Sequence, residues 1–448
     1  LLGIFLAGHP PTQGVSAGSR ESPARVLTLE QAVRHALSRH PRVKAARYRL
    51  EAGDAGVQAA RAPRYPQVNL TEKFNRTNNP MWAFGTLLNQ ESITQEDFDP
   101  DRLNDPDAVN NFNTSISLSW ELFSGGRTRA GIDAARQHQK IALVALRQIR
   151  QEVVAGTAKA YMGLLLAKEN LEVIAQAVET ARAHAAFIES RYEEGFVVKS
   201  DLLRAKVRLS HLEQEHLAAQ SRRLTARAAL NAAMGDPDNP AIEAATSLVL
   251  EEKPEDSLEE WIEKAQSNHP DLERLGVREV LAETQIAKAK AGHWPSVHLV
   301  GAYDWDTESF SDVGDSYTVG AVARLNLYSG GGTRAGVLAA AAALKEAREM
   351  KEATRLRITL KTRQAYYETQ SAFKRIAVAR SALEQAEEGL RIVESRYRNG
   401  LLPLVSLLDA EMARREARVS HFRALHDYQV ARVDLMLAAG IIDRKWEE

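Results

Sequence analysis

The amino-acid sequence predicts a mainly α fold with a β-barrel part: duplicated long α-helical coiled-coil hairpins plus two β-hairpins. Three observations predict it. The 448-residue chain repeats its own motif order. Alternation of apolar and polar residues, the mark of a half-buried strand, occurs at matching places in both halves. A proline-free stretch of about 67 residues follows each of those places, far longer than an ordinary globular helix.

The repeat comes first because it sets the domain organisation. Leu29, His40, Pro41, Pro66, Val68 and Leu70 recur 229 positions later as Leu258, His269, Pro270, Pro295, Val297 and Leu299. From Leu122-Phe123-Ser124-Gly125-Gly126 the offset is 205, giving Leu327-Tyr328-Ser329-Gly330-Gly331. Tyr161 then matches Tyr366, Ser190-Arg191-Tyr192 matches Ser395-Arg396-Tyr397, and Gly195 and Gly235 match Gly400 and Gly440. The 24 residues lost in the second half fall between Leu70 and Leu122, so that segment is expected to be a loop on an exposed end. The expected organisation is a leader remnant at 1–17, a first repeat at 18–247, a second at 248–440 and a tail at 441–448. The leader is read from an apolar run, Leu1 to Ala7, followed by the small residues Val15-Ser16-Ala17.

Each repeat opens with a short helix, 28–39 or 257–268, stopped at a His-Pro pair; Thr28 with Gln31 and Ser257 with Glu260 have capping-box spacing. A second helix follows each proline and ends before Pro63 and Pro66, or before Pro295. β-Hairpins are then expected over 67–123 and 296–328. In the first, Ile116, Leu118, Trp120 and Leu122 alternate with Ser115, Ser117, Ser119 and Glu121. In the second, Val297, Leu299, Gly301, Tyr303 and Trp305 form one alternating set, and Val319, Ala321, Ala323, Leu325 and Leu327 another. Such strands suit a barrel that crosses a bilayer. The long first loop, 75–111, is rich in Asn, Asp and Pro, and its apolar cluster Trp82, Phe84, Leu87 and Leu88, with Phe112 nearby, is a candidate lid over a pore mouth.

Helical hairpins are expected over 125–234 and 330–439. Ala142, Leu146, Ile149, Val153, Gly156, Ala160, Leu164, Ala167, Leu171, Ile174, Val178 and Ala181 follow steps of four and three, a heptad seam with one local shift. At ~1.5 Å per residue the helix is roughly 100 Å long. Gly195 and Gly400 suit the left-handed position that closes a helix. The helix before each strand and the helix after each turn, stacked end to end, match much of one long helix in length.

Composition narrows the function. A net charge of −1 gives no electrostatic footprint for nucleic acid, and the absence of cysteine excludes disulfides and thiolate chemistry. No stretch has the apolar length of a membrane-spanning helix. His211, Glu213 and His216, and His421 with His426, lack metal-site order, and Asp97-x-Asp99-x-Asp101 starts like a calcium loop but carries Arg102 where glycine and Ala108 where glutamate are needed. No catalytic constellation and no cofactor site is expected.

Four strands cannot close a barrel, and open strand edges do not persist in lipid, so the chain must oligomerise. A dimer gives eight strands and a trimer twelve, the latter wide enough for a lumen. The motif order resembles the TolC family of outer-membrane efflux channels over roughly residues 27–440. The matching parts are the opening at Leu29 to Pro41, the Tyr65-Pro66 and Trp294-Pro295 strand entries, the Ser-Gly-Gly strand exits and the Arg-Tyr-x-x-Gly turns. The resemblance implies a homotrimeric, twelve-stranded α/β-barrel tunnel in the outer membrane with its helices in the periplasm. It also implies a periplasmic adaptor and an inner-membrane pump as partners. Its gate residues carry over to Tyr192, Asp201, Tyr397 and Asp409 beside the turn glycines, with Lys199 and Arg398 as further polar candidates. Leu402 and Ser406 stand where the family places a basic and an acidic lock residue. The competing reading is a soluble periplasmic coiled-coil adaptor protein.

Overall fold

The computed structural model describes residues 25–237, 242–245, 247–248, 256–309 and 311–443. The leader expected at 1–17 lies outside them, as does 444–448 of the tail. In chain order the first repeat runs β1 (Arg25–Leu27), α1 (Leu29–Arg39), α2 (Pro41–Arg61), β2 (Gln67–Thr77), α3 (Pro80–Asn89), α4 (Pro100–Asn104), β3 (Val109–Phe123), α5 (Arg127–Glu193), α6 (Lys199–Met234) and β4 (Ile242–Ala244). The second runs α7 (Leu258–Asn268), α8 (Pro270–Lys290), β5 (Ser296–Thr307), β6 (Gly314–Arg324), α9 (Gly332–Arg398) and α10 (Leu404–Ala438).

The His-Pro pairs explain the paired short helices. Both capping boxes form, at Thr28 and at Ser257. His40 ends α1 and also caps α2: its Nδ1 accepts the Arg42 N–H at 3.1 Å, and His269 does the same for Asp271. Proline then occupies the first helical position, where its missing N–H costs nothing. Each histidine thus turns the chain between two helices while leaving no donor orphaned.

All four long-hairpin helices end in the same motif. Gly195, Gly235, Gly400 and Gly440 have positive φ. At the first turn the Gly195 N–H donates to the Tyr192 carbonyl and the Phe196 N–H to that of Arg191, a Schellman closure. α2 and α6 both pack on α5, and α8 and α10 both pack on α9. Gly235 sits against His40 and Gly440 against His269, so the short helices do stack end to end along each long one.

The expected seam of α5 is only part of its buried face. Val153, Leu164, Ile174, Val178 and Ala181 are buried, but Gly156 is exposed, and Val154, Ala155, Ala158, Tyr161 and Leu165 are buried instead. α5 is packed by α1, α2, α6, α8 and α10. A helix gripped from several sides buries a wider arc than a two-stranded seam. The largest core cluster lies here, around Tyr161, Leu165, Leu230, Met234 and Tyr428. The Tyr161 hydroxyl donates to the Leu27 carbonyl at 2.9 Å, tying the β1–β4 parallel pair to the long helix. Among the described residues no helix is long and apolar enough to cross a membrane.

The four longer strands form one antiparallel sheet in the order β2-β3-β5-β6. The register separates two faces. Val68 pairs Leu118, Leu70 pairs Ile116 and Phe74 pairs Phe112 on one side; Gln67 pairs Ser119, Asn69 pairs Ser117 and Thr71 pairs Ser115 on the other. β5 and β6 continue both faces, with Tyr303 opposite Tyr317 and Gly301 opposite Val319 on the apolar side. Among the described residues β2 and β6 are the edges of this sheet.

Two expectations about this region need correction. Leu325 and Leu327 are not in a strand: β6 ends at Arg324, opposite Ser296. Beyond that row the partner chain is Trp294-Pro295, and proline has no N–H for the ladder. The expected loop 75–111 is also shorter and more ordered. β2 continues to Thr77 and β3 begins at Val109, so Phe112 is a strand residue with its ring 4.8 Å from that of Phe74. Between them lie α3, a 3-10 turn Gln95–Phe98 and α4. Asn79-Pro80 and Asp99-Pro100 are helix starts: Asn79 accepts the Trp82 N–H at 3.4 Å and Asp99 that of Asp101 at 2.9 Å. The same residue types also form turns, which is why the sequence alone predicts a loop there.

Candidate functional site

The two helix turns lie together. Under them Ala185 and Ile188 of α5, Leu202 of α6, Leu390 of α9, and Leu404 and Leu407 of α10 form one apolar cluster. Both hairpins contribute, so this end of the molecule is a four-helix tip.

Its polar residues are not used symmetrically. Tyr397 packs against the cluster, whereas its repeat partner Tyr192 is exposed. Burial raises the pKa of the Tyr397 hydroxyl, the negative charge of Asp201 adds to the rise, and Arg191 opposes it. Tyr397 of the second repeat thus senses the charge of Asp201 of the first. The structure does not bring the other candidates to these two residues. Lys199 and Asp409 are exposed. Arg398 forms an ion pair with Glu394, one turn back on its own helix, at 3.7 Å. The Arg191 guanidinium lies 5.3 Å from the Phe187 ring and 5.7 Å from that of Phe196, clamping the first turn.

A polar belt just behind the tip was not anticipated. His184 of α5 and Glu411 of α10 are joined at 2.8 Å. Arg415 of α10 pairs with Glu215 of α6 at 2.6 Å, and Arg418 donates to Gln176 of α5 at 3.3 Å. These links bridge the two hairpins across about two hundred residues of sequence, so no local spacing announces them. The hydrogen bond to Glu411 raises the His184 pKa; burial opposes it, the charges of Glu411 and Glu394 reinforce it, and Arg398 weakens it. Burial, then the neighbouring Arg415, lower the pKa of Arg208 in the same belt.

Several of the other side chains singled out in the sequence are held in local pairs. His211 pairs with Glu215 at 3.0 Å, Glu213 with Arg182 at 3.4 Å, and His426 with Asp427 at 3.0 Å. His216 lies on α6, and the pKa of His421 on α10 is lowered by burial and by Arg380. Asp97 accepts from the Thr94 N–H at 2.8 Å, and this backbone hydrogen bond lowers its pKa. Among the described residues no group of three or more His, Asp or Glu is placed to hold a metal ion. In the first loop, Trp82 is exposed, while Phe84 is half-buried with its ring edge-on to Phe98 at 5.7 Å, and Leu87 is half-buried.

Comparison with known proteins agrees with this architecture. The chain is 25% identical over 423 residues to Protein CyaE of Bordetella pertussis, covering 93% of this chain and 85% of the relative. It is 22% identical over 435 residues to the outer membrane protein TolC of Vibrio cholerae, covering 96% and 94%. The fold matches the Campylobacter jejuni CmeC outer membrane channel with a TM-score of 0.78 at 18% identity, over 97% of this chain and 94% of that one. The family model described as outer membrane efflux protein matches residues 32–236 and 261–441, which covers both repeats, so the chain belongs to the outer membrane efflux protein family.

Proposed function

We propose that the protein is the passive outer-membrane exit duct of a tripartite efflux or secretion system, working as a homotrimer with a periplasmic adaptor and an inner-membrane pump. The carrying observation is the two-faced sheet with two free edges. Three copies joined edge to edge give twelve strands, an apolar outside and a polar lumen. The helices continue that wall for about 100 Å, enough to cross much of the periplasm. A soluble adaptor is not supported: it has no use for an open-edged sheet with an apolar outer face, and the family match spans both repeats.

The tip acts as the closed entrance in this reading. Tyr397 of the second hairpin packs on the apolar cluster it shares with the first, and the His184–Glu411 bond joins the two hairpins behind it. A partly exposed pair such as His184–Glu411 is worth about 1 kcal/mol, so an adaptor can displace it.

Planar-bilayer recording tests the duct. Purified trimers should conduct ions with no nucleotide or cofactor present. Well-assembled trimers that never conduct would overturn this reading.

A further inference from the structure

The loop between β2 and β3 folds toward the polar face of the sheet. Asn111, Asn113, Asp304 and Asp306 share that face with Ser115 and Ser117, by strand alternation and register. Gln90, at the end of α3, is buried against it. Its Nε2 donates to Asn111 Oδ1 and to the Asn110 carbonyl, each at 2.8 Å. Asn111 Nδ2 donates in turn to Asp306 Oδ1 at 2.5 Å, and Asn113 Nδ2 to the same oxygen at 3.2 Å. Gly314, opposite Asp306 in β6, completes the seat: a Cβ there would collide with the Asn89 carbonyl oxygen and lie 2.9 Å from the Gln90 carbonyl carbon.

α3 is two-sided. Ala83 is fully buried, and Gln90 follows two turns later on the same stripe. Met81 and Leu88 are exposed on the opposite side, and Trp82 is exposed on a flank. A helix seated on the lumen wall by one face presents the opposite face to the pore axis. Three large apolar side chains have no stable place in a water-filled mouth unless they meet others.

We propose that α3 is an inward-folded lid at the outer mouth, that Gln90, Asn111 and Asp306 are its clasp, and that Met81, Trp82 and Leu88 meet the same residues of the other two protomers on the axis. The proposal rests on the duct reading, since only a closed barrel gives the polar face a lumen. It adds a second constriction, far from the helical tip. Apolar constrictions of this kind hinder ions by dewetting. The lid is passive: it excludes outside solutes until cargo pushed from below displaces it, and the clasp returns it.

The native chain has no cysteine, which permits a direct test. Trimers carrying Trp82→Cys, treated with a mild oxidant, should form disulfide-linked dimers, because only two of three thiols can pair. A second variant, Trp82→Ser with Leu88→Ser, keeps the clasp and should raise conductance roughly twofold or more, since the dewetted constriction is removed. Gly314→Val, which unseats α3, should raise it as well and abolish cross-linking of Trp82→Cys. If wild-type trimers conduct but Trp82→Cys does not cross-link and the serine variant conducts like wild type, the lid is wrong and the duct stands. If neither wild-type trimers nor the serine variant conducts, the duct reading falls and takes the lid with it.

Discussion

Gly235 closes α6 directly against His40: a Cβ on this glycine would lie 2.7 Å from the His40 Cα and 3.0 Å from the Pro41 Cδ. The second repeat reproduces the contact, with Gly440 at 2.7 Å from the His269 Cα. Two motifs that look unrelated in the sequence, a His-Pro pair and a glycine nearly two hundred residues later, are thus the two halves of one joint. Gly235→Ala and Gly440→Ala should each destabilise the trimer beyond the roughly 1 kcal/mol expected for a side chain at positive φ. Gly195→Ala is the control, since nothing lies within 4 Å of its Cβ direction. Thermal dissociation of all three variants measures the difference. Equal losses would mean that the joint is loose and only backbone strain matters.

This joint also shows what could be read from the chain and what could not. The capping boxes, the His-Pro breaks, the glycine closures and the 67-residue length of α5 follow from local chemistry, and they stand as the sequence predicts them. The loop helices were misread because Asn79-Pro80 and Asp99-Pro100 serve turns and helix starts alike. The end of β6 depended on its partner, because Pro295 rather than anything in Leu325 to Leu327 stops the ladder. At the tip the repeat was misleading. Tyr192 and Tyr397 are equivalent by alignment, yet only Tyr397 packs inward. The His184–Glu411 link spans the two repeats and leaves no periodic trace.

The histidines give the assembly a pH dependence of opposite sign at its two levels. The Glu411 hydrogen bond raises the His184 pKa above 6.5, so folding favours the protonated form. Its stabilisation is complete below pH 6.5 and fades as pH rises through the folded value. His40 and His269 are lowered, chiefly by burial. They leave stability untouched above pH 6.5 and subtract from it as pH falls through that value toward their folded pKa. Acidification therefore tightens the tip and loosens the His-Pro joints. Melting curves of wild type and His184→Gln between about pH 5.5 and about pH 8.5 should show the largest gap at the acid end. A gap independent of pH would mean that His184 acts by packing alone.

The sheet register sets an accessibility pattern in the membrane. Ser115, Ser117 and Ser119 pair with Thr71, Asn69 and Gln67 on the polar face; Ile116 and Leu118 pair with Leu70 and Val68 on the other. Single cysteines at the serines should react with a water-soluble thiol reagent in reconstituted trimers, and cysteines at Ile116, Leu118 and Trp120 should not. Glu121 is polar but differs: it accepts from Arg127 at 2.8 Å and bonds to Thr128 at the strand–helix joint. A cysteine there should label more slowly than at Ser117. Uniform labelling along β3 would reject the assignment of its two faces.

The gate prediction follows from the asymmetry of the tip. Tyr397 is the half-buried member of its pair and senses the charge of Asp201 across the two hairpins, whereas Asp409 is exposed. Leu402 and Ser406 supply no charge to strengthen the closure. With a polar tie such as His184–Glu411 worth about 1 kcal/mol, a gate closed here in three copies would be held by only a few. Tyr397→Phe combined with Asp201→Ala should raise single-channel conductance while leaving trimer assembly unchanged, because the apolar cluster under the turns is intact. Asp409→Ala should change ion preference more than conductance, since it removes a solvated charge and breaks no bridge. Adding Glu411→Gln to the first pair should open the tip further, by cutting the His184 tie between the hairpins. If the Tyr397 and Asp201 variants conduct like wild type while Glu411→Gln alone opens the channel, the polar belt behind the tip is the gate and the turns are only its frame.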